Sequence, residues 1–143
     1  MVAENVPVAS QPQRNIPPLW KKSAARILVV DDESLVRWSV TEALQARGYE
    51  VEEAVDAASA MRSFDDDCDL VLLDLHLPDA TDMRVLRFIR CKAPSVPVIM
   101  MTAFATREVV EDAAALGALV AAKPFDLDDL AATVEQALAG RVY

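Results

Sequence analysis

A chain of 143 residues, 53% of them apolar, has room for one domain with a full hydrophobic core and not for two. Acidic residues outnumber basic ones and leave a net charge of −9, which argues against binding nucleic acid or an anionic membrane through a basic face. No apolar stretch approaches the roughly 18 residues of a membrane span, and the N-terminus lacks the apolar core of a secretory signal, so a cytoplasmic protein is expected. Cys68 and Cys91 have no CxxC or histidine partners and are expected to be buried free thiols, not zinc or redox centres.

Residues 1–25 form a region of their own. Pro7, Pro12, Pro17 and Pro18 interrupt it and no helix or strand period survives, which predicts an extended or disordered arm. Its last part, Ile16-Pro17-Pro18-Leu19-Trp20-Lys21-Lys22, has the apolar content to dock on the domain or on a partner, although a vestigial leader is the favoured reading.

From Arg26 to residue 140 the pattern is regular, with 141–143 left as a tail. Arg26-Ile27-Leu28-Val29-Val30 is an unbroken apolar run, the mark of a strand covered on both faces, and it stops at Asp31-Asp32-Glu33. Ser34 to Arg47 places Leu35, Val36, Val40, Ala43 and Leu44 on one helical face, with Gly48 as the C′ stop. Tyr49 to Ala54 alternates as a more exposed strand does. Ala57 to Phe64 predicts a short helix, and Asp65-Asp66-Asp67 a solvated turn. Leu70-Val71-Leu72-Leu73 then predicts a second doubly covered strand, ending on Asp74 and followed by His76-Leu77-Pro78.

Met83 to Arg90 predicts a helix with Val85, Leu86 and Ile89 inward, and Val96 to Met101 a strand ending at Thr102. The next helix runs from about Thr106 to Leu116 and stops at Gly117. Its Val109, Val110 and Ala113 are expected in the core, with a homodimer surface as the alternative. Leu119 to Ala122 is a brief strand running into Lys123-Pro124-Phe125. Asp126 caps the last helix, which carries Leu127, Leu130, Val134 and Leu138 inward and closes at Gly140. Strands alternating with helices in this way predict a doubly wound parallel α/β sheet. Right-handed crossovers gather the strand ends toward one edge, where an open parallel sheet binds its ligands.

That edge collects Asp31, Asp32, Asp74, Thr102 and Lys123, each just past an apolar run. Crowded carboxylates repel one another unless a cation joins them. A hard divalent ion suits an all-oxygen set, and Mg²⁺ takes one or two carboxylates together with water and phosphate oxygens. A carboxylate can also be the nucleophile that forms an aspartyl phosphate. Thr102 can then hydrogen-bond a phosphoryl oxygen and Lys123 can act on another as a point charge. Such positioning and charge stabilisation are most of what phosphoryl transfer asks of a protein.

The motifs Val30-Asp31-Asp32-Glu33, Leu73-Asp74-Leu75-His76-Leu77-Pro78, Met101-Thr102-Ala103 and Lys123-Pro124-Phe125 resemble those of the receiver domains of bacterial two-component response regulators, in the family's order and from Arg26 to about Ala139. The resemblance implies a flavodoxin-like (βα)5 fold with strand order 2-1-3-4-5. It implies that Asp74 accepts a phosphoryl group from a sensor histidine kinase or phosphotransfer protein, with only intrinsic phosphotransfer and autophosphatase chemistry. Asp32, Asp74 and the backbone carbonyl of His76 would hold Mg²⁺, with Asp31 acting through water. Thr102 and Lys123 would engage the phosphoryl group, and Lys123-Pro124 would be a cis peptide. With no DNA-binding or ATPase segment after Ala139, output is expected through a downstream protein partner or through a longer regulator. The stretches around Leu35–Ser39 and Met101–Ala105 are also similar to receivers of transcriptional activators that carry an AAA+ ATPase.

The chain departs from the family at Thr81-Asp82, where an acidic or small residue and then glycine is usual. The stretch from Gly117 to Lys123 is one residue shorter than the usual spacing, and Val120 stands where Tyr or Phe is usual. The phosphorylation chemistry is expected intact and the aromatic readout missing or rebuilt. A phosphorylation-independent receiver acting as an interaction module is the main alternative. An aspartyl-phosphate hydrolase ranks last, because His76 stands where such enzymes commonly need an acid. His76 is expected either at the phosphoryl group or as a solvent-facing loop residue. Phe104 is expected either to limit water access or to pack under its loop, and Trp38 to be half-buried beside the arm, with a kinase-facing position as the alternative.

Overall fold

The computed structural model describes residues 24–140. The arm expected over residues 1–25 lies almost wholly outside the described residues, as does the 141–143 tail. Five parallel strands stand in the order β2-β1-β3-β4-β5: β1 Arg26–Val30, β2 Glu50–Ala54, β3 Leu70–Asp74, β4 Val98–Thr102 and β5 Leu119–Ala122. Between and after them run α1 Ser34–Gln45, α2 Ala57–Ser63, α3 Arg84–Lys92, α4 Arg107–Ala115 and α5 Leu127–Ala139. The expected strand order and the flavodoxin-like fold are what the chain adopts.

The two-residue period of a strand sorts the apolar runs onto two faces. Ile27, Val29, Leu70, Leu72, Ile99 and Met101 pack with Val40 and Leu44 of α1 and Leu130 and Val134 of α5. Leu28, Val30, Val71, Leu73, Val98 and Met100 pack on the other face with Ala57, Leu86, Ile89 and Ala113. Strands covered on both sides need no polar alternation, which is why β1, β3 and β4 are unbroken runs. β2 and β5 form the edges and are correspondingly more exposed.

Several helix ends follow from local chemistry. Asp56 caps α2 through Ser59 N–H, Thr106 caps α4 through Val109 N–H, and Asp126 caps α5 through the N–H groups of Asp128 and Asp129. Gly117 follows the α4 C-cap with φ 71°, a conformation glycine adopts without strain. α1 is shorter than expected: its C-cap is Ala46, so the C′ position falls on Arg47, and Gly48, at φ 91°, stands one residue beyond it.

Four burial expectations are corrected. Leu35 is exposed, because the first turn of α1 stands at the strand-end side of the sheet and borders an open groove there. Trp38 is 59% exposed, not half-buried. Cys68 is buried, and burial pushes its thiol up to about 11, but Cys91 on α3 is exposed. In α4 only part of the expected core face is inward: Ala113 is buried and Val109 partly so, while Val110 is exposed.

Candidate functional site

The strand ends bring the predicted residues together. Asp74 is the last residue of β3 and Thr102 the last of β4, and both are buried. Asp31 follows β1, is fully buried, and its N–H donates to Ala54 O at the end of β2. Asp32 beside it is exposed. Carboxylate oxygens of Asp31, Asp32 and Asp74 all lie within 4.8 Å of one another. Lys123 arrives from the end of β5, where its N–H donates to Thr102 O at 2.7 Å. The Lys123–Pro124 bond is cis.

Lys123 is the cation of this cluster. Its Nζ donates to Asp31 Oδ2 at 2.9 Å, to Glu33 Oε1 at 3.2 Å and to Asp74 Oδ2 at 3.4 Å. Burial alone would lower the Lys123 ammonium, but the Asp31 hydrogen bond and the Asp31 and Asp74 charges outweigh it and hold it above its ordinary value. Burial pushes the Asp74 carboxyl up from 3.8 to about 6; the His76 N–H and Lys123 pull it down, and the Asp31 charge adds to the rise. One ammonium among Asp31, Asp32, Glu33 and Asp74 leaves the cluster short of positive charge.

Backbone donors fix the two buried acids. Asp31 Oδ1 accepts from Glu33 N–H at 2.9 Å, and Asp74 Oδ1 from His76 N–H at 3.0 Å. Thr102 Oγ1 accepts from Phe104 N–H at 3.0 Å, so the hydroxyl is tied to the loop that opens α4. The expectation that Phe104 packs under its loop is not met. Its ring is 66% exposed and meets His76 edge to face, with centroids 5.7 Å apart. The two flanking residues therefore form a pair beside the end of β3.

Sequence reasoning missed three contributors. Glu33 is a direct partner of Lys123. Arg37 of α1 donates to Asp31 O at 2.8 Å and to Glu53 Oε1 at 2.8 Å, clamping the acidic loop between α1 and β2. The available signal was a basic residue one helical turn beyond the acidic run. Asp79 accepts from Ala57 N–H at 2.7 Å and Ala58 N–H at 3.0 Å, across more than twenty residues of chain, and no local pattern announces it. Asp82, at the unusual position before α3, accepts from the Arg84 N–H and guanidinium.

A profile of the response regulator receiver domain matches residues 27–135. The chain belongs to that family. The receiver is 38% identical over 115 residues to the regulatory protein AtoC of Escherichia coli, a match covering 79% of this chain and 25% of that protein. The chain thus spans about a quarter of that relative's length. The sporulation initiation phosphotransferase F of Bacillus subtilis is 31% identical over 115 residues, with 79% of this chain and 93% of that protein covered. Among solved structures, the non-phosphorylated HemR receiver domain of Leptospira biflexa matches with a TM-score of 0.80 and 29% identity, over 83% of this chain and 98% of that one.

Receivers of two-component systems are signalling switches and not enzymes in the ordinary sense, and dependence on Mg²⁺ is general among them. The donor set here fits that ion: it is all oxygen, acidic, and converges from two strand ends. No helix among the described residues is long and apolar enough to cross a membrane.

Proposed function

We propose that this receiver accepts a phosphoryl group on Asp74 from the phosphohistidine of a sensor kinase or phosphotransfer protein, and signals by a change in conformation. The observation that carries the reading is the convergence of Asp31, Asp32 and Asp74 with the Lys123 ammonium 3.4 Å from Asp74 Oδ2. Asp32, Asp74 and the His76 carbonyl are the residues that would hold Mg²⁺, with Asp31 behind them. Bound there, the ion would keep the carboxylates ionised and offset charge on the phosphoryl oxygens.

Asp74 Oδ2 forms the new O–P bond as the N–P bond to the donor imidazole breaks, and the bonding pair returns to the ring nitrogen. Lys123 neutralises charge on one phosphoryl oxygen and Thr102 donates its hydroxyl to another. Turning Thr102 toward the phosphoryl group draws on its bond with Phe104 N–H and so moves the start of α4. Val120, half-buried on β5 against the same core layer, is where the altered readout is proposed to lie.

A groove beside the site supports the partner class. It is about 530 Å³, and Leu35, Val36, Pro124, Phe125 and Leu127 line it next to Lys123. Leu35 is exposed at its edge, and such an apolar groove suits a helix that carries the donor histidine.

The test is intact-protein mass after incubation with acetyl phosphate and Mg²⁺. One added phosphoryl group is expected on the native chain and none on Asp74→Ala. A folded, Mg²⁺-binding protein that gains no mass would favour the phosphorylation-independent interaction module.

A further inference from the structure

The loop from Leu75 to Ala80 follows the acceptor and is anchored on one side by packing. Leu75 and Leu77 are buried, Leu75 N–H donates to Met101 O at 3.0 Å, and Leu77 and Ala80 exchange backbone bonds of 3.0 and 3.3 Å. Those bonds close a tight turn with Pro78 and Asp79 at its tip. On the other side Asp79 holds the tip: Oδ1 accepts from Ala57 N–H at 2.7 Å and Oδ2 from Ala58 N–H at 3.0 Å.

These are the first two N–H groups of α2, and the helix's own cap leaves them free. Asp56 reaches only Ser59 N–H, the third, and Ser59 Oγ accepts from Asp56 N–H in return. The start of α2 is thus shared between a cap from its own chain segment and a carboxylate from the acceptor loop. His76 stands three residues before Asp79 in that loop, with its N–H on Asp74 Oδ1 and its ring against Phe104. A turn pinned at both Ala80 and Asp79 leaves the His76 backbone little room.

We infer that Asp79 is a positioning residue of the receiver: by tying the acceptor loop to the start of α2, it sets the His76 backbone for the cation that Asp74 shares. The inference rests on the metal site of the proposed function. It separates Asp79 from an ordinary helix cap because Asp56 is such a cap on the same helix and does not touch the loop.

Full-length Asp79→Ala and Asp56→Ala are therefore compared with the native protein by calorimetric Mg²⁺ titration and by amide hydrogen exchange. Asp79→Ala is expected to weaken Mg²⁺ binding roughly 10-fold, the usual effect of losing a group that orients metal ligands. It should also speed exchange at His76 and Leu77. Asp56→Ala is expected to keep native Mg²⁺ affinity and native exchange at those amides. Native affinity in Asp79→Ala, or equal losses in both variants, would overturn the inference. If the native protein itself bound no Mg²⁺, the metal reading would fail instead, and exchange at His76 and Leu77 would still decide whether Asp79 holds the loop.

Discussion

The Asp74 end of β3 and the face made by α4 and β5 belong to one sheet, yet they are held in opposite ways. Every residue of β3 is buried, and the loop after it is fixed by Leu75, Leu77, Asp79 and the His76 N–H. In α4 only Ala113 is buried, β5 has no fully buried residue, and Val110 and Leu119 are exposed. Arg90 of α3 is a main tie on that side, donating to Leu116 O at 2.6 Å, Gly117 O at 3.2 Å and Val96 O at 2.6 Å. The difference separates chemistry from response. Charges that meet within a few ångströms sit where packing leaves little freedom, and the segment proposed to respond sits where repacking costs little.

The largest effect expected from this contrast is on stability. Leu72→Ala removes a fully buried side chain and should cost about 2–5 kcal/mol, whereas Leu119→Ala on the exposed edge should stay within about 0.5 kcal/mol. Urea unfolding measures both, and comparable losses would erase the distinction between the two regions.

A smaller effect sharpens the view that the acceptor region trades stability for chemistry. Asp74 has its folded-state carboxyl raised from 3.8 to about 6. The folded state therefore holds that proton more tightly than the unfolded chain, and the benefit is complete below about 4 and lost as pH rises through about 6. Metal-free protein should lose stability across that window, and Asp74→Asn should gain about 1–2 kcal/mol at pH 7 and flatten the profile. A native profile that rises between those pH values would reverse the sign and the argument with it.

The smallest expected effect is kinetic. The His76–Phe104 ring pair stands beside the end of β3 and is proposed to limit the access of water there. Loss of an edge-to-face contact is worth roughly 0.5–1.5 kcal/mol, so His76→Ala and Phe104→Ala should each shorten the life of the phosphorylated form by about 2- to 10-fold. Decay of the acyl phosphate followed by mass would show this, and unchanged decay in both would remove the pair from the account.

The sequence by itself determined the architecture and which polar residues meet at the strand ends. Unbroken apolar runs at β1, β3 and β4 announced strands covered on both faces, and a polar residue at each end placed Asp31, Asp74 and Thr102 along one edge. Gly117, Thr106 and Asp126 marked helix ends because caps act within a single turn of chain. Such features are local, so residue order encodes them directly.

Only the tertiary structure decided how these groups are held. Helical spacing placed Leu35 and Val110 inward, but periodicity reports a face and not whether anything lies beneath it, and both are exposed. It gave no sign that Phe104 meets His76, that Arg37 clamps the acidic loop, or that Asp79 reaches the start of α2. Each joins segments apart in the chain, and the charges of Arg37 and Asp79 are equally at home in water. Local pattern cannot distinguish a solvated carboxylate from one that pins a loop; only the folded neighbour that supplies the N–H groups does.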